Sequence, residues 1–276
     1  MLVSGASNQV GAAVGALAFS SMGPAGVVAV RQLIAAAVLL PTVRPPVRRF
    51  TWAQWWPVLL LGVVFTVMNL SLYTAIDRIG LGLAVTLEFL GPLAVALAGT
   101  RRLLDLACAV GAAVGVYVLV LPDASTDFIG VGLALVAAAG WASYILLNRL
   151  VGRRLPGLQA TAAASGVSAL LYLPLAVTLI LTGHLAGGPL LYAMAAGVLS
   201  SVVPYALDLT ALRTVPPRFF GVFMSVHPAL ATLAGLVILH QQPALHEAVG
   251  IGIVVCTNII AVSTLKPTRT SARSRP

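Results

Sequence analysis

Apolar residues run along this sequence in long, nearly continuous blocks, separated by short stretches that contain Pro, Gly or charged residues. A helix needs about twenty mostly apolar residues to cross a bilayer, and ten blocks approach or reach that length. The pattern therefore predicts an all-α integral membrane protein with ten transmembrane helices, at residues 2–20, 24–42, 55–76, 81–99, 103–121, 129–149, 158–181, 188–209, 218–239 and 245–265.

The composition supports a membrane solvent. Hydrophobic residues make up 59% of the chain and charged residues 8%, with a mean hydropathy of +1.02, whereas about a quarter of a soluble domain is charged. Cys108 and Cys256 lie in apolar blocks and fit neither a disulfide framework nor a zinc site, so we expect no metal and no cofactor. The first block lacks the basic residues of a signal peptide; either its helix is short with its polar face inward, or the start at Met1 omits some residues.

Basic residues fall almost entirely on one side of the predicted membrane. Of the sixteen Lys and Arg residues, Arg31 lies inside the second block and Arg78 is on the opposite side. The side of the membrane away from Arg78 receives all of the others: Arg44, Arg48, Arg49, Arg101, Arg102, Arg149, Arg153, Arg154, Arg213, Arg218, Lys266, Arg269, Arg273 and Arg275. The positive-inside rule then places both termini in the cytoplasm of a multi-pass bacterial inner-membrane protein. The net charge of +9 therefore indicates contact with anionic membrane lipid at most and no nucleic acid.

The two halves of the chain resemble each other. Residues 73–99 align with residues 209–235 at an offset of 136, and the matches include a proline (Pro92 and Pro228) and a terminal Leu-Ala-Gly. Because five spans per half is an odd number, the second half enters the membrane upside down, which is the architecture of secondary transporters. We therefore expect a first five-helix repeat at 1–122, a second at 123–265, a central cavity between them and a basic cytoplasmic tail at 266–276.

Glu88 is a lone carboxylate near the middle of the fourth block. A charge at the bilayer centre costs about 2.5–3.5 kcal/mol on insertion scales, so intramembrane ionisable residues usually serve function. Glu88 should face a cavity or a partner, or take up a proton; the alternative is a structural carboxylate held by a cation. Pro92 lacks an N–H and so frees the carbonyl of residue 88, which places an acceptor beside the carboxylate.

Other polar residues of the predicted spans are candidates for the same cavity. Pro228 should free the carbonyl of Met224, although both prolines could simply bend helices. His227 could carry a proton or bond a neighbouring helix as a neutral side chain. Arg31 could pair with Glu88, bind a substrate carboxylate or hold backbone carbonyls. Hydrogen bonds could come from Asn69, Tyr73, Trp141, Tyr144 and Tyr205, although Tyr and Trp also collect at membrane interfaces.

Three stretches carry a resemblance to a known family: GPAGVVAVRQLIAAAVLLP (23–41), GLGLAVTLEFLGPLAVAL (80–97) and PYALDLTALRTVPPRFFGVFMSVHPALATLAG (204–235). With them the chain resembles the EamA family of the drug/metabolite transporter superfamily, and within it the bacterial exporters of threonine and homoserine. Glu88, Pro92, Arg31 and Pro228 match family positions. The chain departs at His227, where similar members carry glutamate, and at His240-Gln241, where they often carry Gly-Glu.

The resemblance implies efflux of small metabolites, with amino acids such as threonine or homoserine as expected substrates and the proton gradient as the driving force. Glu88 would carry the proton, tuned by Arg31 or His227, in an alternating-access cycle. Two alternatives remain: a facilitator or an exporter of drugs or other metabolites without proton coupling, and an enzyme acting on a lipid-linked substrate. The enzyme lacks support, because no catalytic motif stands in a suitable context. The sequence leaves the oligomeric state open.

Overall fold

The computed structural model of the chain describes residues 2–98, 103–121, 126–183, 187–204 and 225–263. Within those ranges the regular structure is helical, with no strand. A 3₁₀ turn, Val47–Arg49, precedes α3, and a π-helical turn, Val198–Val202, follows α9. The α-helices are α1 (Leu2–Ala16), α2 (Phe19–Val43), α3 (Trp52–Ile79), α4 (Leu81–Glu88), α5 (Leu90–Ala98), α6 (Leu103–Val120), α7 (Phe128–Val151), α8 (Gln159–Leu181), α9 (Gly188–Gly197), α10 (His227–Ile238) and α11 (Leu245–Ser263).

Helices α4 and α5 are two parts of one span that is interrupted at Phe89, so the described residues contain ten helical rods, as the sequence predicts. Five rods are long and apolar enough to cross a membrane: α2, α3, the α4–α5 pair, α7 and α8. The others are apolar over shorter described lengths. The predicted fourth span, 81–99, is therefore found at the expected place, but it is not one continuous helix.

The boundary predicted between the first two spans is found at the start of the second. The sequence places the first helix at 2–20 and the second at 24–42. The α1 helix ends earlier, at Ala16, and a short helical turn begins at Phe19. Gly23 then takes a non-helical conformation, with φ of 68°, so the α2 range consists of two helical parts that meet at a kink, and the long part begins at Pro24. Proline disfavours helical backbone in the residue before it, which explains the kink at Gly23.

The α3 helix extends past its predicted range, 55–76, at both ends. Thr51 and Gln54 form a capping box at its start, in which the Thr51 backbone N–H donates to Gln54 Oε1 at 3.0 Å. Such reciprocal capping satisfies donors that a helix start leaves open. The predicted ninth span, 218–239, is seen from residue 225 onward, and its helix begins at His227; residues 218–224 lie outside the described ranges.

Large apolar side chains cover much of the outer surface. Leu103, Leu170, Ile180 and Leu181 are all more than 60% exposed, and many other Leu, Val and Ile side chains are exposed with them. Apolar surface of this extent marks contact with a membrane or a partner, and helices satisfy their own backbone polar groups in lipid. The exterior thus agrees with the span lengths in indicating a membrane protein.

The first six helices pack against the last five throughout the described structure. The interhelix contacts that carry this packing are α1 with α9 and α10, α2 with α8 and α9, α3 with α7 and α8, α4 with α7 and α10, α5 with α7, and α6 with α11. The α4–α5 pair runs through the middle of this arrangement and contacts α7 and α10. The residue at which it breaks is therefore surrounded by both halves of the chain.

Candidate functional site

Glu88 is the last residue of α4 and is only 5% exposed. A one-residue turn at Phe89 separates α4 from α5. The backbone bonds on either side of it are kept: the Phe89 N–H bonds Val85 O at 3.1 Å, and Phe89 O accepts from Leu93 N at 3.3 Å. Pro92 is half-buried in the first turn of α5 and has no N–H to offer the Glu88 carbonyl. The span thus breaks beside its one carboxylate, in the region where the proline predicts an opening.

Phe89 ties this break to the second half of the chain. Its ring lies edge-on to Trp141 of α7, with centroids 4.7 Å apart, and 5.5 Å from the ring of His227 in α10. Two predicted site positions, Trp141 and His227, therefore lie against one aromatic ring, that of the residue after Glu88. The ring thereby joins the α4–α5 pair to α7 and α10.

His227 is buried, at 6% exposure, and is the first residue of α10. Its Nδ1 lies 3.4 Å from Gln9 Nε2 of α1, and a side chain at Gly5 would meet its Nε2 at 2.7 Å. The histidine therefore bonds a neighbouring helix, as one of the two sequence alternatives expects. Pro228 lies in the first turn of α10, where the absence of a proline N–H costs no helical bond. It does not interrupt a continuous helix within the described ranges, and Met224 lies outside them.

Arg31 forms a second, partly buried polar group with residues from α3 and from the π-helical turn after α9. Its Nη1 donates to Asn69 Oδ1 at 2.7 Å, and its Nη2 donates to the Ser200 carbonyl at 3.4 Å. The guanidinium carbon lies 5.2 Å from the centroid of the Tyr73 ring, within the range of a cation–π contact. No ion pair joins Arg31 to Glu88 within 4 Å, although the Arg31 charge acts on the carboxylate over a longer distance.

The remaining predicted site residues are placed differently. Tyr144 stacks against Phe65, at 5.5 Å between ring centroids, in a separate apolar cluster with Val58 and Leu61. Tyr205 lies outside the described residues. The described structure therefore brings together Arg31, Asn69 and Tyr73 in one group and Glu88, Trp141 and His227 in another, and it leaves Tyr144 apart from both.

Sequence reasoning did not assign a site role to Gln9, Phe89 or Ser200. Gln9 is a buried amide inside an apolar helix, at 3% exposure, and its polarity alone could have marked it. Phe89 is indistinguishable from other apolar residues until its ring contacts are known. Ser200 contributes its backbone carbonyl from the π-helical turn, a contribution that no side-chain pattern reveals.

A polar cavity lies at the end of the bundle where α3 meets α4; we call it the end cavity. It has a volume of about 390 Å³ and is lined by residues of α3, α4, α10, α11 and the α10–α11 connection, including Asp77, Thr232 and Glu247. Gln241 closes one wall, because its Oε1 accepts from the Leu81 N–H at 3.0 Å. Its backbone N–H donates to Gly235 O at 3.1 Å. Gln241 thus links the start of α4 to the end of α10 through its side chain and its backbone.

Arg78 and Asp127 form an ion pair beside the end cavity. Arg78 Nε lies 2.9 Å from Asp127 Oδ2, and Asp127 also accepts from the Gly130 N–H at 2.9 Å as the N-cap of α7. The Gly130 N–H, with help from Arg78, holds the pKa of the Asp127 carboxyl below its usual range. Arg78, in the last turn of α3, therefore joins that helix to the start of α7. Among the described residues no group of three His, Cys, Asp or Glu side chains is placed to hold a metal.

Comparison with known proteins gives relatives along nearly the full chain. The threonine/homoserine exporter RhtA of Escherichia coli (strain K12) is 35% identical over 96% of this chain and 91% of its own length. The same-named exporter of Salmonella typhimurium (strain LT2) is 36% identical over 95% of this chain and 88% of its own length. A protein of known crystal structure, 22% identical, shares the fold with a TM-score of 0.60 over 94% of each chain.

The family comparison agrees with these relatives. The sequence model of the EamA-like transporter family matches residues 128–263, a range that runs from α7 to the end of α11. The full-length similarity to the exporters extends the assignment to the first half as well. The chain is a multi-pass membrane protein that belongs to the EamA-like transporter family.

Proposed function

We propose that this protein is a secondary active transporter of the bacterial inner membrane that exports small amino acids, such as threonine or homoserine, in exchange for protons. The observation that carries the proposal is Glu88: a carboxylate buried at a break in the central span and surrounded by helices of both halves. The substrate class comes from the relatives, which are named threonine/homoserine exporters. The same names argue against an enzyme.

The interhelix contacts support two related halves. Each rod of the first half can be exchanged with the rod at the same place in the second half. The exchanged pairs are α1 and α7, α2 and α8, α3 and α9, the α4–α5 pair and α10, and α6 and α11. The contact of α1 with α9 then becomes that of α7 with α3. Likewise α2 with α9 becomes α8 with α3, and α1 with α10 becomes α7 with the α4–α5 pair. The contacts of α2 with α8, α4 with α10 and α6 with α11 map onto themselves, whereas the smaller contacts of α11 with α4 and α5 are not matched by α6 with α10 in the described structure. This exchange supports an inverted repeat at 1–122 and 123–265.

An inverted repeat can form two conformations that mirror each other across the membrane, with the site at the interface between the repeats. Glu88 is at that interface, with His227 and Trp141 of the second half beside the same aromatic ring. Alternating access then consists of rocking one repeat against the other about this point. The basic loops and the tail at 266–276 lie in the cytoplasm in this arrangement, as the charge distribution predicts.

Proton exchange follows from the chemistry of a single buried carboxylate. In the outward-facing state Glu88 takes up a proton, and in the inward-facing state it releases that proton as an amino acid enters. The ionised carboxylate can accept hydrogen bonds from the substrate ammonium, so the proton and the substrate compete for the same oxygen atoms. Since each ligand favours its own form of the site, occupancy determines the population of the two states.

Transport in proteoliposomes tests the proposal. With an acidic lumen, protons leaving through an antiporter should drive labelled threonine or homoserine inward to a concentration above that outside. Dissipating the pH gradient with an ionophore should abolish this accumulation, and empty liposomes provide the background.

A counterflow assay separates the proposal from its alternatives. A carrier preloaded with unlabelled threonine accelerates the entry of labelled threonine and saturates with concentration, whereas an open pore does neither. Uptake that saturates but never exceeds the outside concentration would indicate a facilitator without proton coupling. If drugs or other metabolites move and no amino acid does, the assigned substrate class is wrong.

A further inference from the structure

Arg31 is a half-buried cation with neutral partners. It lies near the middle of α2, and its two terminal nitrogens donate to an amide oxygen of Asn69 and the backbone carbonyl of Ser200. Among the described residues no carboxylate lies within ion-pair distance of it, and Glu88 acts on it only from farther away. A charge withdrawn from water is stabilised by good hydrogen bonds and a counter-charge, and here no counter-charge is in direct contact within the described part of the chain.

Two donors of this group have no acceptor among the described residues. Arg31 Nε, on the cation itself, and the hydroxyl of the neighbouring Tyr73 are both shielded from solvent, and neither has a hydrogen-bond partner in the described part of the chain. Tyr73 is fully buried, and its ring lies next to the guanidinium. Buried polar groups in native proteins are almost always hydrogen-bonded, and each exception calls for an explanation. Both unpaired groups can donate, and both belong to one side-chain pair, so the missing partner is an acceptor.

We propose that Arg31 and Tyr73 form the binding site for the carboxylate of the transported amino acid. A carboxylate supplies the negative charge and the acceptor oxygens that this pair lacks, and arginine is well suited to carboxylates because its donors are fixed in one plane. Asn69 and Ser200 hold the guanidinium in place through its other nitrogens. This inference rests on the proposed function and names the chemical group by which the substrate is recognised.

A purely structural role for Tyr73 predicts a different effect of removing its hydroxyl. The Tyr73 ring packs edge-on against Phe19, at 5.9 Å between centroids, and that contact does not use the oxygen. If the residue serves packing alone, Tyr73→Phe keeps everything that matters and removes only a buried group without a partner. Such a change should leave the ligand-free protein equally stable or more stable, and it should not affect binding.

Tyr172 offers a matched control. Its hydroxyl is also in the interior, but it donates to Thr66 O at 2.9 Å. Tyr172→Phe therefore removes a satisfied hydrogen bond, so it should lower the melting temperature of the ligand-free protein and leave substrate binding unchanged. The two variants lose the same atom, and the proposal predicts opposite consequences for stability and for binding.

The experiment measures thermal unfolding of the purified full-length protein in detergent, titrated with threonine and with threoninamide, in which a neutral amide replaces the carboxylate. The wild type should bind threonine and fail to bind threoninamide. Tyr73→Phe should weaken threonine binding by about tenfold or more, as expected when a bond to a charged group is lost, without lowering the ligand-free melting temperature. Arg31→Lys should also weaken it, because the ammonium lacks the planar donor set.

Equal binding of threonine and threoninamide by the wild type would overturn the site, as would unchanged threonine binding by Tyr73→Phe. Proteoliposome transport separates this failure from failure of the function. If the wild type accumulates threonine and Tyr73→Phe does so with the same KM, the amino-acid exporter stands and the carboxylate site is wrong. If the wild type neither binds nor transports any amino acid, the proposed function falls and the site falls with it.

Discussion

Two arginines of this protein meet opposite electrostatic environments. Arg78 lies at the end of α3, where its side chain is 37% exposed, and it pairs with Asp127 at 2.9 Å. Arg31 lies inside α2 and has an amide, a carbonyl and an aromatic ring around it. The exposed cation, which water already stabilises, has an anion of its own, whereas the half-buried cation has none within ion-pair distance among the described residues. In a transporter this difference is intelligible if the missing anion arrives with the substrate.

The largest expected effect comes from neutralising each arginine in turn. Arg31→Gln removes the charge that we assign to the substrate carboxylate, so gradient-driven threonine uptake should fall by about tenfold or more. Arg78→Gln removes an exposed ion pair, which contributes little, so uptake should stay within about twofold of the wild type. Initial rates in proteoliposomes measure both. Equal losses of uptake in the two variants would contradict the distinction between Arg31 in the interior and Arg78 at the exposed end.

A smaller effect, on stability, comes from the glycine that packs the broken span against α7. A Cβ at Gly91 would overlap the Ala138 carbonyl, which is rigid backbone. Gly91→Ala should therefore reduce the free energy of unfolding by about 1–3 kcal/mol, the usual cost of overpacking. Gly132→Ala is the control within α7, because nothing lies within 4 Å of the added methyl, and alanine favours helix by about 1 kcal/mol. Unfolding in detergent should order the variants accordingly; a neutral Gly91→Ala would contradict the close contact.

Replacing Gln241 by alanine should lower the free energy of unfolding by about 1 kcal/mol, the typical cost of losing a helix-capping side chain. Gln241→Ala removes the acceptor of the Leu81 N–H at the start of α4. Gln242→Ala, at the exposed neighbouring position, should be silent. Gln241→Glu keeps an acceptor and adds a negative charge at a helix start, where the helix dipole favours it, so it should retain stability. Loss of stability in the glutamate variant equal to that in the alanine variant would show that Gln241 does not act as a cap.

The smallest effect concerns Asp127 and depends on pH. Its carboxyl pKa is held down in the folded protein, mainly by the Gly130 N–H and then by Arg78. A depressed folded pKa contributes stability above the unfolded pKa, about 3.9, and that contribution disappears as pH falls through the lower folded value. Asp127→Asn should therefore lower the melting temperature slightly at neutral pH and match the wild type in strong acid. A difference that persists in acid would point to a cause other than ionisation.

The helices were predictable because each one appears in the sequence as a long apolar run. In α7 and α8 the apolar runs differ from the observed ends by at most a residue or two, since lipid-facing and core-facing positions are equally apolar and the whole run is visible. The Gly23-Pro24 pair marks the kink from which the long part of α2 runs, whereas the end of α1 at Ala16 carries no proline or charge that could mark it. Pro92 lies three residues after the interruption at Phe89 and has no N–H for the Glu88 carbonyl.

The side-chain partners were not predictable to the same degree. Helices that are apolar on every face do not reveal which face turns inward, so the separation of Tyr144 from Trp141, three residues away, could not be foreseen. The bond between Gln9 and His227 joins residues far apart in the chain, and the Ser200 contact uses backbone. The sequence could name the intramembrane polar residues, and only three-dimensional packing could sort them into groups.

Proton release on substrate binding tests the central claim, that Glu88 exchanges a proton for an amino acid. Purified protein in weakly buffered detergent, at a series of pH values, would be mixed with threonine and followed with a pH-sensitive dye. Thermal stabilisation would confirm binding, and Asp127→Asn would serve as a carboxylate control that responds like the wild type. The account predicts that the wild type acidifies the solution when threonine binds and that Glu88→Gln does not. Proton release by folded Glu88→Gln equal to that of the wild type, or threonine binding by the wild type without release, would contradict it.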